Sequence, residues 1–363
     1  MTQPIAEARA AAAPALPHRS ALRTSVLLTV LVAALVSGVL VSVGVGQLQL
    51  SPAEVLHVLF RPLGLTVGID PTHPNAENAV WTIRLPRVVM ALVVGTALAV
   101  AGVLMQAVFG NPLAEPGVVG VSSGAALGAS AAIVFGLGFA GEWTIAMLAF
   151  GGGLVATLVV YLFSRTGGRT EVVTLILTGV AVNAFCGAGL AFLSFLGDTQ
   201  AREQIVFWQL GSLNGSRWVQ AAVVVPIVLV GVLVSTTLTR SLDLLALGEK
   251  QARHLGVNVE ALRVGAIVLV ALLVGAAVAF AGIIAFVGLV VPHLVRMIIG
   301  PAHGPLLVAS ALGGALLLTV ADLVARTAIP YADLPLGMLT ALVGGPFFFF
   351  LLARTRRRSG GWA

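Results

Sequence analysis

Charge is what this 363-residue chain lacks most. Only 9% of its residues are charged and 58% are hydrophobic, with a mean hydropathy of +1.05. A soluble domain carries about 25% charged residues, so this chain has too few to cover a water-facing surface. Cysteine occurs once, as Cys186. That excludes an internal disulfide and a cysteine-cluster metal site, and its place within an apolar run suits a small buried hydrophobe. Lysine also occurs once, as Lys250, directly after Glu249. A GxxxxGK[ST] phosphate loop is therefore excluded. The sequence has no HExxH. Asp322 is the only acidic residue placed within an apolar run, near its outer end. Carriers driven by proton or sodium gradients place ionisable groups near mid-membrane, which argues against a secondary carrier. No constellation for catalysis is visible, so an energy source has to come from another polypeptide.

What the chain does have is length in apolar runs. Ten stretches reach or approach the roughly 20 residues that cross a bilayer: 24–46, 88–109, 118–139, 143–163, 172–196, 219–238, 262–281, 282–299, 305–328 and 336–353. Each is expected to be helical, because a helix satisfies its own backbone hydrogen bonds in lipid. The fold class is thus all-α and polytopic. The 42 glycines are spread through these runs, where small residues let helices approach closely. With ten spans both termini share a side, and 14 of the 20 Lys and Arg residues fall on it. The positive-inside rule places that side in the cytoplasm. The run 24–46 is longer than a signal-peptide core and shows no evident cleavage site, so it is read as a retained helix. Residues 1–20 read as a disordered cytoplasmic tail, 21–355 as one membrane domain and 356–363 as a second tail. Outside, a short helix is predicted around 51–60, with Ser51 as cap and Pro52 at its first position, and another at 203–213.

The largest interruption is a charged island at 242–256, LDLLALGEKQARHLG. An amphipathic segment between two spans must pack on another protein or lie on the membrane surface. Leu244, Leu245 and Leu247 offer apolar anchors, Gly248 permits a sharp bend, Glu249, Lys250 and Arg253 form a polar rim, and Gly256 can end a short helix in a left-handed cap.

Eight ordered strings then line up with one family: RLPR (84–87), GNPLAEPGVVGVSSGAALGA (110–129), LILTGVA (175–181), FWQLGSL (207–213), LLALGEKQARHLGVN (244–258), AGIIAFVGLVVPHLVR (281–296), ADLVAR (321–326) and DLPLGMLTALVGGPFFFFLL (333–352). The chain resembles the FecCD/BtuC-like permease subunits of ATP-binding-cassette importers for iron-siderophores, haem and corrinoids, from about residue 20 to 353. The resemblance implies type II importer architecture: a homodimer of ten-helix subunits in the bacterial inner membrane, two cytoplasmic ATPase subunits and an extracytoplasmic substrate-binding protein. It implies no cofactor in this subunit, with ATP and magnesium held by the partners. It makes the island the element that docks on the ATPase. Arg84, Arg87 and Arg326 would meet carboxylates of the binding protein, a task that suits the planar fork of arginine. Lipid-headgroup or internal pairing, such as Arg326 with Asp322 one turn away, is the alternative. Asn111, Leu113, Val172 and Val173 match an inner gate, against a plain packing role. His293 reads as a structural histidine rather than a haem ligand. Gln106 and Asn183 either face the pathway or join helices. Among substrates, PGVVGVSSGAALGA and FWQLGSLNG look most like the haem branch, while NPLAEPG also resembles corrinoid permeases. A ferric siderophore or a corrinoid is the alternative cargo.

Overall fold

The computed structural model describes residues 17–46, 48–167 and 169–358. In chain order the helices are α1 (Pro17–Gly44), α2 (Pro52–Phe60), α3 (Ala76–Asn78), α4 (Leu85–Phe109), α5 (Val121–Val134), α6 (Thr144–Phe163), α7 (Val172–Leu196), α8 (Thr199–Leu210), α9 (Trp218–Leu245), α10 (Glu249–His254), α11 (Val259–Ala281), α12 (Val287–Ile299), α13 (His303–Thr327) and α14 (Leu336–Arg358). A π-helical stretch, Ala79–Arg84, joins α3 to α4, and a two-residue-per-strand hairpin, β1 (Arg165–Thr166) with β2 (Arg169–Thr170), joins α6 to α7. Among the described residues, ten helices of ten or more residues are apolar. Seven are long enough to cross a membrane, and Val121–Val134, Val287–Ile299 and Leu336–Phe350 are shorter. Each falls within or over one of the ten predicted runs.

The layering follows from side-chain size. The most apolar stretches of α4 and α11 are 78% and 72% buried, whereas those of α1 and α7 are 11% and 17% buried. Helix α4 can be enclosed because glycines let its neighbours come into backbone contact. A Cβ on Gly95 of α4 would run into the carbonyl of Gly314 on α13, and one on Gly102 into that of Gly288 on α12. The outer helices keep large apolar side chains on their faces, among them Phe185, Phe192 and Phe195 of α7.

Several boundaries differ from expectation for identifiable reasons. The predicted span 282–299 loses its first turn. Gly282–Phe286 is unwound, with left-handed backbone at Gly282 (φ 68°) and Phe286 (φ 67°). Backbone groups there find partners across the fold: Ser212 N–H donates to Ala281 O at 2.8 Å, and Phe286 N–H donates to Glu115 Oε1 at 3.3 Å. The span predicted at 118–139 contracts to α5, because Pro116–Val119 forms a 3-10 turn that ends at left-handed Gly120. Helix α1 begins at Pro17, and the rest of the predicted N-terminal tail, residues 1–16, lies outside the described residues. The other tail, at 356–363, overlaps α14 up to Arg358, and 359–363 lie outside the described residues.

The two outer helices form as expected. Ser51 and Glu54 make a reciprocal capping box on α2, with Ser51 N–H donating to Glu54 Oε2 at 2.8 Å and Glu54 N–H to Ser51 Oγ at 3.3 Å. Thr72 N–H also donates to Glu54, at 2.9 Å. The backbone N–H groups of Thr72 and Ser51, then the Ser51 hydroxyl, hold the Glu54 carboxyl at about 2. Helix α8 (Thr199–Leu210) starts four residues before the predicted 203 and ends three before 213, capped by Asp198, which accepts from Ala201 N–H at 2.7 Å.

Candidate functional site

The island is built from its two glycines. Helix α9 runs past the predicted span end at 238 and carries Leu244 and Leu245 in its last turn, so these leucines end a long helix and do not begin a short one. The chain then turns at Gly248 (φ 113°), where a Cβ would lie 2.5 Å from Gln251 Oε1. Helix α10 follows for six residues. It closes in a Schellman motif, with Gly256 (φ 86°) donating to Arg253 O and Val257 to Ala252 O, both at 3.0 Å. Asn258 caps α11 immediately afterwards, accepting from Ala261 N–H at 3.0 Å.

The anchors sort themselves by burial. Leu245 packs against the main core and Leu244 is half-buried, whereas Leu247 is 62% exposed. Leu255, which sequence reasoning missed, is 58% exposed at the other end of α10. Its signal was an apolar residue at the end of a six-residue charged helix. Lys250, Arg253 and His254 are exposed between the two leucines. Glu249 instead turns inward: Arg253 Nη2 donates to it at 2.5 Å and Arg263 Nη2, from α11, at 2.8 Å. Partial burial pushes its carboxyl up, but Arg263 and then Arg253 outweigh this and leave it below the ordinary carboxylate range.

The four residues that the resemblance matched to an inner gate fall at the end of α4 and the start of α7. Asn111 follows left-handed Gly110 at the end of α4, and its Oδ1 accepts from Leu113 N–H at 2.9 Å. Val172 and Val173 open α7, the first half-buried and the second 69% exposed. Phe109 at the end of α4 packs on the cluster of Val160, Leu175 and Ile267, so both ends rest on one apolar floor.

The three arginines converge at the opposite end of α4, where they meet α1 and α13. Arg87 Nε donates to Asp322 Oδ1 at 2.8 Å and its Nη1 to Asp333 Oδ2 at 3.1 Å. Arg326 Nη2 donates to the Ser42 carbonyl and, at 2.6 Å, to Ser42 Oγ; its Nε lies 3.7 Å from Asp322 Oδ2. Arg84 donates to the carbonyls of Val43 (2.6 Å), Gly44 (2.9 Å) and Leu48. Arg84 and Arg87 are buried, and the side chain of Arg326 is 9% exposed. Internal pairing is therefore made, with Arg87 rather than Arg326 as the short-range partner of Asp322. The cluster still holds three guanidinium groups against two carboxylates.

The remaining polar residues join helices. Buried Gln106 donates to Leu289 O at 3.2 Å and accepts from Arg296 Nη2 at 3.2 Å, linking α4 to α12. Asn183 of α7 accepts from Ser123 Oγ at 2.5 Å and donates to Gly117 O at 3.4 Å. His293 is half-buried on α12, and no group of three His, Cys, Asp or Glu suited to a metal occurs among the described residues.

This arrangement has relatives. Residues 31–354 match the model of the FecCD transport family. The chain belongs to the FecCD transport family. It is 43% identical over 300 residues to the hemin transport system permease protein HmuU of Yersinia pestis, covering 79% of this chain and 88% of that one. It is also 43% identical over 288 residues to the cobalamin import system permease protein BtuC of Halobacterium salinarum, covering 79% and 76%. A solved metal-chelate type ABC transporter in an inward-facing conformation superposes with a TM-score of 0.80 at 33% identity, over 91% of this chain and 99% of that one. As a FecCD member the chain is a multi-pass membrane protein and an importer permease. The seven long and three shorter apolar helices among the described residues are the all-helical fold of an importer permease, as the sequence strings implied.

Proposed function

We propose that the chain pairs with a second copy of itself to form the inner-membrane pathway of an ATP-driven importer for a haem-type iron chelate. The island carries the reading. A six-residue helix is too short to be stable alone, yet this one is framed by two left-handed glycines and presents Leu247, Leu255 and a basic face outward. Such a surface fits a groove on a cytoplasmic ATPase, which would bring the ATP and magnesium. The termini would share the side of the island. The apolar faces of α7, with Phe185 at 74% and Phe195 at 81% exposed, suit lipid or the second copy. The excess guanidinium at Arg84, Arg87 and Arg326 supports docking of an acidic patch on a binding protein, which would trade places with the backbone carbonyls that Arg84 now holds. Asn111, Leu113, Val172 and Val173 would narrow the inner exit, where apolar side chains can close a path by excluding water.

For the cargo, the 43% identity to a haemin permease equals that to a cobalamin permease. The haem reading rests on the strings PGVVGVSSGAALGA and FWQLGSLNG; a corrinoid or ferric siderophore is the alternative. The deciding experiment is affinity copurification with the binding protein followed by absorption spectroscopy. A Soret band on the copurified binding protein is the expected result, and a corrinoid or siderophore spectrum would reassign the cargo.

A further inference from the structure

Between the island and α7 runs a chain of polar contacts that the docking reading does not use. It starts at Arg253 on α10, which bonds Glu249 at 2.5 Å. Glu249 accepts from Arg263 Nη2 of α11 at 2.8 Å, and Arg263 Nη1 donates to the Thr170 carbonyl at 2.9 Å. Thr170 is the last residue of the α6–α7 hairpin and is 1% exposed. Its other polar groups are held by the same helix: its N–H donates to Glu260 Oε2 at 2.9 Å and its Oγ1 to Oε1 at 2.6 Å. Two residues later α7 begins at Val172. Every polar group of Thr170 is thus tied to the first turns of α11, and one of those ties continues to α10.

Arg263 sits at the junction. Its side chain is 7% exposed, and its two terminal nitrogens serve two different elements. A clamp would place both nitrogens on one carboxylate; this is a strut. The two elements it connects differ from α11 in burial and backbone. Helix α10 is flanked by two positive-φ glycines, and α7 is only 17% buried along its apolar stretch. The stiff part is α11, 72% buried. A load on α10 has a short, charge-assisted route to the hairpin that positions Val172.

We propose that Arg263 is a positioning residue that couples displacement of α10, through Glu249 on one side and Thr170 on the other, to the inner end of α7. The inference rests on the reading of α10 as the ATPase-docking helix. Lysine at 263 keeps the charge but, as a single point donor, does not bridge two elements as the guanidinium fork does.

The test uses the permease reconstituted with its ATPase and binding protein. Spin labels sit at Leu177→Cys on α7 and Val268→Cys on α11, both exposed positions, in a Cys186→Ser background. ATP is expected to change the label distance in the otherwise unaltered chain. In Arg263→Gln and Arg263→Lys the ATPase should be retained and its basal hydrolysis unchanged, while the distance change is lost. Allosteric couplings are typically worth about 5–150-fold, so uptake per ATP should fall by about fivefold or more. If Arg263→Gln does not fold, Glu260→Gln, which weakens the grip on Thr170, should show the same uncoupling in milder form. Distance change and uptake per ATP matching the unaltered chain, in whichever of these variants folds, would overturn the proposal. Retention of the ATPase by Leu247→Asp with Leu255→Asp would instead overturn the docking reading, and the strut with it.

Discussion

At the residue scale, burial decides which charges are costly to disturb. Asp322 is 0% exposed and depends on Arg87. Removing one member of a buried pair typically costs about 3–5 kcal/mol, because the other charge is left uncompensated. Arg87→Met should therefore lower the thermal unfolding midpoint in detergent sharply, whereas Arg217→Met, which breaks an exposed pair with Glu142, should change stability by about 0–1 kcal/mol. These partners were not legible in the sequence: Arg87 and Asp322 lie on different helices, and only the packing of α4 on α13 brings them together. The local features were legible. Gly248, Gly256 and the Ser51 cap act within a few residues of themselves, so spacing alone announced them, whereas the reciprocal bond from Glu54 came from the structure. Glu54 also makes a pH expectation. Its carboxyl sits at about 2 in the folded chain against an ordinary 4.5, so its stabilising effect is complete above that ordinary value. It is lost as pH falls through the folded value. Amide exchange across α2 should accelerate as pH is lowered through that window, beyond the intrinsic pH dependence, and Glu54→Gln should remove the excess.

At the scale of elements, the ten apolar segments were legible because a bilayer demands long apolar runs and lets few other patterns cross it. The interruptions were not. Gly282–Phe286 reads as the continuation of an apolar run, and it unwinds because Gly211 and Gly337 let other backbone press against Ile283. That closeness depends on three distant segments and leaves no local pattern. The same separation explains the island. Its bend and cap were readable from glycines, while the division of leucines into core (Leu245) and free anchors (Leu247, Leu255) required the position of α9. At this scale Gly248→Pro should disconnect the island. Its backbone N–H donates to Leu245 O at 3.0 Å, and its φ of 113° is inaccessible to proline. Membrane insertion should persist, while substrate-stimulated ATP hydrolysis and uptake by the complex are lost.

For the whole molecule, the chain is an importer permease of the FecCD family, and on the proposed reading the chemistry of ATP belongs to its partners. The purified subunit alone is expected to show no ATP hydrolysis above a vesicle control. The arginine cluster sets a second expectation. Arg84→Glu should reduce affinity for the binding protein most at low salt, where charge pairs are least screened, and leave the ATPase bound. Unchanged affinity would confine these arginines to the internal pairing with Asp322, Asp333 and the α1 carbonyls.

The central claim is that the island holds the ATPase, and the amount of cassette subunit retained by tagged permease on an affinity column tests it most directly. Burying a leucine contributes roughly 1.5–3 kcal/mol, and each 1.4 kcal/mol is about tenfold in affinity. With cassette subunit in excess the unaltered chain should retain one per permease chain, and at concentrations near the unaltered dissociation constant Leu247→Asp with Leu255→Asp should lose at least about nine-tenths of what the unaltered chain retains. Full retention by that double variant, in a protein that still inserts and folds, would contradict the account.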